Sequence, residues 1–498
     1  MKSEITSDAF IDEKVIAVTG DFSDREKSSA ATPRLHRVGT LSYTTRGLVV
    51  LFGWMLWGDF CFTLMETVVP SILPLKLKSL GVSNLTMALI LTTLPGILNL
   101  TICPWVSFWS DRYRSKWGRR IPFILWTAPF LTAFLILLGY AESIGKWFQV
   151  AILSNWMQAS SQAVIVVVIG IFVVCFSFFN MFVGSVYWYL FNDVVPEEYL
   201  GRFFGLFRMM GCIAAALYNY FVFPYAETHM KEIFLLAALL YFFGFGLMCL
   251  KVKEGRYPPP PENCDGETGL WASIKTFCYE CYSLKYYWKF FGYSTCSAVS
   301  YGCIATFMVF FYKDIGLDLS QIGKVAAYAT FIGGVLAYPS GILCDRYHPL
   351  RLTLMVAIIN SLLPFNLIYL FYNFSSETVY TLNLTISLVT LPLGLVSSAA
   401  YMPMYMRVLP KERYGQFSSA DALVRALGVI LGGLLAGGLI DVLKGVYHGD
   451  NFCYRYIPLW SWVFQILATT SLLLFYREWK RYGGSENYSA PMPQRTVE

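Results

Sequence analysis

Twelve apolar runs, each about 18–27 residues long, divide this chain, and they leave few folds open to it. A bilayer core about 30 Å thick is crossed by roughly twenty residues of helix. Lipid offers no partner to open backbone, so each run must close its own hydrogen bonds as a helix. The runs fall at 47–69, 87–109, 121–140, 164–190, 203–223, 233–250, 287–311, 322–343, 352–371, 379–401, 417–440 and 456–475. Of 498 residues, 56% are hydrophobic and 14% charged, and mean hydropathy is +0.52, a composition foreign to water-soluble domains. The expected fold class is all-α integral membrane, with twelve transmembrane helices.

The cations sit in the short connections. Residues 110–120, S-D-R-Y-R-S-K-W-G-R-R, put Arg112, Arg114, Lys116, Arg119 and Arg120 between runs two and three. Later even-to-odd connections carry Arg346 and Arg351, then Arg407, Lys411 and Arg413. Such loops stay cytoplasmic, and an even number of spans puts both termini on the same side, in a cell membrane (plasma or inner). The net charge of +6 therefore reads as membrane orientation, with no nucleic-acid partner. Residues 1–46 are polar and mixed in charge, without an apolar signal-peptide core, so a disordered cytoplasmic tail is expected there; residues 478–498 are expected to be a cytoplasmic tail as well. The twelve cysteines are scattered, mostly within apolar runs, as small hydrophobes. Cys278 and Cys281, with Cys264 upstream, fit an amphipathic helix; the alternative is a metal or redox pair, for which no histidine lies close in sequence.

The longest connection, 251–286, contains four prolines at 258–261 and then an aromatic and charged stretch at 270–282, expected to be an interfacial helix. It divides a six-span half at 47–250 from another at 287–477. Two internal repeats support the division. Asp111-Arg112-Tyr113 recurs as Asp345-Arg346-Tyr347, an offset of 345 − 111 = 234. The stretch from Pro196 to Phe203 (P-E-E-Y-L-G-R-F) recurs from Pro410 to Phe417 (P-K-E-R-Y-G-Q-F), an offset of 410 − 196 = 214. Both repeats follow equivalent spans of the two halves, so the halves are parallel copies with a solute site between them.

The 110–120 loop resembles the major facilitator signature Gly-x-x-x-Asp-Arg-x-x-Gly-Arg-Arg. Ser107 replaces its first Gly, and extra residues precede Gly118. The second half keeps its Gly, as Gly341 before Asp345 and Arg346. The form R-S-K-W-G-R-R-I-P at 114–122 is similar to that of the glycoside–pentoside–hexuronide:cation symporters, the melibiose permease and sucrose transporter group. The resemblance implies a major facilitator fold and a gating loop formed by Asp111, Arg112, Gly118, Arg119 and Arg120, echoed by Asp345 and Arg346.

Charges inside spans are costly and point to function. Asp59 and Glu66 lie seven residues apart on one face of span 1, and Arg208 lies on span 5 without an acid on its own helix. Spans 1 and 5 are therefore expected to face each other, with Arg208 meeting an acid, either as a structural ion pair or as a site for hydroxyls and a proton. Asp421 and Arg425 on span 11 form an i,i+4 pair that can neutralise itself or bind. Asn180, Tyr187 and Trp188 on span 4, Tyr301 on span 7 and Tyr401 on span 10 are packing or cavity residues. The resemblance assigns Asp59 and Arg208 to sugar binding. It also places two further acids of a sodium site at Asn99 and Cys103, where an amide and a thiol make poor ligands for a hard cation. Proton coupling through Glu66 or Asp59 is expected instead.

These readings converge on a proton-coupled symporter for a small polar organic solute, expected to be a sugar or glycoside. No cofactor, metal or enzymatic chemistry is expected, and the assembly is expected to be a monomer in the lipid bilayer. Alternatives are an uncoupled facilitator, a carrier of a lysolipid or organic acid, and a transporter-like receptor.

Overall fold

The structure is a computed structural model that describes residues 35–38, 40–153, 160–255, 270–448 and 450–492. Among these it contains twelve helices long and apolar enough to cross a membrane: Thr45–Ser79, Asn84–Cys103, Ile121–Gly139, Ser161–Phe191, Phe203–Tyr225, Met230–Lys251, Lys285–Asp314, Leu319–Cys344, Pro349–Phe371, Ser376–Val408, Tyr414–Val446 and Asn451–Arg481. We number them spans 1 to 12. Each expected run is present. Several helices outrun their apolar stretch, span 1 by ten residues at its end, because the backbone ladder continues once started while the run measures only the lipid core.

Local chemistry explains the starts. Thr44 caps span 1, its hydroxyl accepting from the Gly47 N–H at 3.2 Å, and Ser160 caps span 4 in the same way at 3.3 Å. Asp318 and Gln321 close a capping box on span 8. Proline opens span 9 at Pro349, where its missing N–H costs nothing.

Two expectations need correction. The first tail is ordered from Leu35: strands Leu35–Val38 and Leu41–Thr44 pair antiparallel, and the buried His36 ring meets Tyr199 edge-on at 5.0 Å. A two-residue Gly-Thr link between alternating residues suits a hairpin, and docking on the start of span 5 supplies the burial that a free hairpin lacks. Beyond span 12 the chain continues through helix Gly484–Asn487 to Met492, held by Tyr286 against the Tyr488 hydroxyl at 2.9 Å and by Tyr488 on the Val408 carbonyl at 2.7 Å. Spans 7 and 9, read as continuous, each break inside the membrane-spanning length, at Cys303–Phe307 and Leu363–Leu367. Residues 1–34, 256–269 and 493–498, including Cys264 and the four prolines, lie outside the described residues.

The 270–282 stretch is a helix, as expected. Buried Glu280 on it takes Arg413 at 2.7 Å and the Gln416 amide at 2.8 Å, which fixes it to the start of span 11. Cys278 and Cys281 are both free thiols on this helix, one exposed and one buried.

The spans form two six-helix halves. We call the end carrying the 110–120 loop the basic face and the other the opposite face. Described bonds between the halves gather on the opposite face. Asp441, in the last turns of span 11, accepts from the Asn84 N–H at 2.9 Å, the Asn84 amide at 2.7 Å and the Leu85 N–H at 2.8 Å, at the start of span 2. A carboxylate on a helix N-terminus meets both unpaired donors and the positive end of the dipole. Tyr454 donates to the Asn84 Oδ1 at 2.8 Å and is contacted by Lys78, and Lys313 pairs with Glu227 at 2.6 Å. Gly437 permits this approach, since a Cβ there would stand 2.6 Å from the Asn84 carbonyl oxygen. Asp441→Ala removes a charged acceptor whose hydrogen bonds contribute about 1.5–3 kcal/mol each, so the sealed population should fall at least about tenfold. Spin labels at Thr86 and Leu443 would report this as a new, longer distance, and an unchanged distribution would count against the seal.

Candidate functional site

Span 1 carries the two acids, and its neighbours decide what each can do. Asp59 is 2% exposed. Thr63, one turn on, donates to its Oδ1 at 3.4 Å, and Oδ2 has no hydrogen-bond partner. That oxygen looks at span 5, where a Cβ on Gly211 would lie 3.7 Å away. Glu66, about two turns further along, is exposed, and the Asn180 amide of span 4 donates to it at 3.3 Å. Spans 1 and 5 therefore face each other as expected, and Asn180 joins Glu66.

Arg208 does not pair as expected. Among the described residues it forms no ion pair. Its side chain is exposed and lines a cavity of about 450 Å³ with Cys212 of span 5, Thr330 and Ala337 of span 8, and Leu395 and Ser398 of span 10. The reason is access: a guanidinium that reaches open space keeps its hydration and needs no acid to offset its burial. Arg208 sits three residues, about one turn, from the glycine that the empty Asp59 oxygen faces.

Tyr187 is not a cavity residue. It is fully buried, donates to the Met55 carbonyl at 3.1 Å, and packs on Phe191 at 4.7 Å and Phe245 at 5.0 Å. Trp188, next to it, is 49% exposed and borders Phe204 and Phe207. Asn99 is exposed, and the Cys103 thiol lies 3.1 Å from the Ser185 hydroxyl. Among the described residues no three His, Cys, Asp or Glu side chains gather as metal ligands.

In the second half, Asp421 and Arg425 do not bond directly. Asp421, 1% exposed, accepts from Tyr405 at 2.7 Å and Ser294 at 3.0 Å. Arg425 donates to Tyr401, and Tyr401 donates to Tyr405 at 3.1 Å. Two phenols thus link the charges across spans 10 and 11. Tyr401 belongs to this relay, and Tyr301 lines a separate chamber in the same half.

The side chains of Asp111, Arg112 and Asp345 lie outside the described residues, but the rest of the 110–120 loop is specific in its contacts. Arg119 binds both oxygens of Asp193 at the end of span 4, through Nε at 2.9 Å and NH2 at 2.5 Å, and Arg120 reaches the same carboxylate at 3.3 Å. Arg120 also donates to Ser110 at 2.5 Å. Glu254, just past span 6, accepts from the N–H groups of Arg119 at 2.8 Å, Arg120 at 2.9 Å and Ile121 at 2.6 Å, capping span 3. Burial pushes the Glu254 carboxyl above its ordinary pKa, while the three N–H bonds pull it back down. Gly118 is required twice over: its φ is +107°, and a Cβ there would stand 2.5 Å from Glu254. The sequence reading missed Asp193 and Glu254. Asp193 has a weak signal in standing three residues before the Pro196 repeat; Glu254 is hidden among cations as K-V-K-E-G-R.

The sequence model of the Major Facilitator Superfamily matches residues 17–218, 225–433 and 290–487. The chain belongs to the Major Facilitator Superfamily. A sucrose transport protein, SUC3 of Arabidopsis thaliana, is 36% identical over 75 residues, which make up 15% of this chain and 12% of that protein. Among solved structures, a bacterial homologue of the human lysosomal transporter Spinster, inward-facing and unoccupied, aligns with a TM-score of 0.60 at 12% identity, over 90% of this chain and 100% of that one. A mutant of the nucleoside transporter NupG gives 0.62 at 12% identity, over 86% and 100%. An inward-facing bacterial homologue of the iron transporter ferroportin gives 0.56 at 14%, over 86% and 99%. These likenesses establish the facilitator fold as an integral multi-pass membrane protein with the architecture of a solute carrier.

Glu254→Ala leaves three N–H groups of the loop without their acceptor. Transport, measured as counterflow in proteoliposomes, should slow at least about tenfold, the effect of one or two lost charged hydrogen bonds, with yield retained. A wild-type rate would reduce the capping contact to decoration.

Proposed function

We propose that this facilitator is a proton-coupled symporter of a sugar or glycoside working by alternating access. The observation that carries the reading is the Asp59 carboxyl, buried with one oxygen unpartnered, facing a glycine one turn from a free guanidinium. A buried oxygen without a donor is a place where a solute hydroxyl or a proton adds at a gain. Arg208 can donate to further hydroxyls of the same solute. Glu66, about 10 Å along the helix from Asp59 and bonded by the Asn180 amide, is suited to exchange the proton without touching Arg208. The partial likeness to a sucrose transport protein supports the substrate class. The amide and thiol at Asn99 and Cys103 favour a proton over sodium, since a hard cation wants several charged or carbonyl oxygens.

On this reading the basic face is cytoplasmic, and the Asp441 seal closes the outside in a state open inward. Both chain ends and the Leu270–Tyr282 helix then lie in the cytoplasm. Cys278, exposed on that helix, should resist a membrane-impermeant maleimide in intact cells and label after permeabilisation. Labelling before permeabilisation would invert the topology.

The acids separate in proteoliposomes. Asp59→Asn should abolish transport and solute binding at the central site. Glu66→Gln should keep binding and counterflow but lose accumulation against a gradient, because an amide mimics the protonated acid and cannot release a proton. Wild-type uptake should follow a pH gradient and ignore Na⁺ at fixed pH. Concentrative uptake by Glu66→Gln would remove Glu66 from coupling, and wild-type transport by Asp59→Asn would move the transport site elsewhere, first to the Asp421 relay.

A further inference from the structure

The second half contains a chamber of about 510 Å³ that the central site does not use. Spans 7, 9, 10 and 12 ring it; its walls are mainly apolar, broken by Tyr301, Asn360, Asn366, Thr390, Trp462 and Gln465, with no charged side chain. Two features mark it as more than a packing gap. First, both broken spans break at its wall. Span 7 loses its helix after Gly302, and Ile304 and Ala305 of the break line the chamber. Span 9 stops at Leu362, passes through Leu363 and Pro364 with ψ of 72° and 68°, and resumes as a 3-10 turn at Phe365–Leu367, all against the chamber. Non-helical backbone at membrane depth is tolerated where it is buried in protein or lines a polar cavity, and in carriers it marks solute sites.

Second, the polar groups converge without partners. The Tyr301 hydroxyl and the amide groups of Asn360 and Asn366 have no hydrogen bond among the described residues, and the Asn366 Oδ1 is buried as well. Gln465 uses only its Nε2, on Thr469 at 3.4 Å, and keeps its carbonyl oxygen free. By contrast, the Trp462 indole is spent on the Ser361 carbonyl at 2.8 Å and the Thr390 hydroxyl on the Ile386 carbonyl at 2.8 Å. A lipid tail in this space would leave four polar groups unpaired, and an ion would find no counter-charge. A neutral solute rich in hydroxyls answers both, since amides offer donors and acceptors together.

We propose that this chamber is a second binding site for a neutral sugar or polyol, separated from the central cavity by span 10 alone. Thr390 and Gly394 of span 10 face the chamber, and Leu391, Leu395 and Ser398 face the Arg208 cavity. A Cβ on Gly394 would meet nothing within 4 Å, so the helix presents its thinnest wall there. The proposal rests on the reading of the chain as a carrier of sugar-like solutes.

The test is equilibrium binding of radiolabelled sucrose, maltose, glucose and sorbitol to the full chain in nanodiscs. Asp59→Asn removes the central site, Gly394→Leu fills the chamber, and Asn366→Leu deletes an amide that bonds to nothing. At least one probe should bind Asp59→Asn saturably. Adding Gly394→Leu or Asn366→Leu to that variant should weaken its binding at least about tenfold, as for one or two lost hydrogen bonds. Asn366→Leu, with no contact to break, carries the test alone if Gly394→Leu does not assemble. Loss of all probe binding in Asp59→Asn, or binding that both chamber variants leave intact, overturns the second site. The first of these outcomes leaves the central site standing. Wild-type transport by Asp59→Asn would instead overturn the central reading without touching the chamber.

Discussion

The carboxylate of Asp441 anchors the closed opposite face, with Tyr454 on Asn84 and Lys313 on Glu227 beside it. Its two oxygens take three donors from the first turn of span 2, so the last turns of span 11 cannot leave without exposing the N-terminus they cap. The contact costs little to keep and much to break, because the donors it satisfies have no intrahelical partner. A carrier needs such a contact to be strong in one state and absent in the other. It must therefore lie between the halves, and it does.

The basic face is built on the other principle. Its described ion pairs stay within one half. Arg119, Arg120, Asp193 and Glu254 bind spans 2, 3, 4 and 6 to each other. Glu280, Arg413 and Gln416 bind the Leu270–Tyr282 helix to span 11. These contacts make each half rigid and leave the gap between halves free to open. Rigid halves with a breakable seal are what rocking about a central site requires.

Much of this was legible in the sequence because the bilayer simplifies the code. Apolar length alone located all twelve spans, and the basic loops and offset repeats located the two halves. The failures share a cause: they concern groups whose environment is set by a distant segment. Arg208 was expected beside an acid because a guanidinium in a dry wall needs one; the cavity that hydrates it is made by spans 8 and 10, which no local pattern announces. Tyr187 looked like a cavity aromatic, and the Met55 carbonyl that takes its proton lies on span 1. Glu254 sits in a basic run and caps a helix more than a hundred residues upstream. The hairpin at Leu35–Thr44 reads as tail until Tyr199 is there to cover His36. The breaks in spans 7 and 9 are invisible to hydropathy, since Ile304, Leu363 and Phe365 are as apolar as any helical residue.

The two halves solve the problem of a buried acid differently, and the repeat shows how. The offset of 214 that relates Pro196 to Pro410 relates Gly211 to Arg425, since 425 − 214 = 211, and Phe207 to Asp421, since 421 − 214 = 207. The second half thus carries its acid and base together on span 11, at the positions where span 5 has a phenylalanine and a glycine. Ser294 of span 7 and the phenols of Tyr401 and Tyr405 fill the space between them. With Arg425 linked to Asp421 through two hydroxyls, this acid and base balance each other within one network. In the first half the acid is on span 1, the arginine is on span 5 and turned away, and a glycine keeps the space between them open. Each half thus keeps a buried acid with one unpartnered oxygen, Asp59 Oδ2 and Asp421 Oδ1, but only in the second half is the acid joined to its arginine through hydroxyls. The same sequence repeat therefore yields one half whose acid and base share a network and one whose acid and base stand apart.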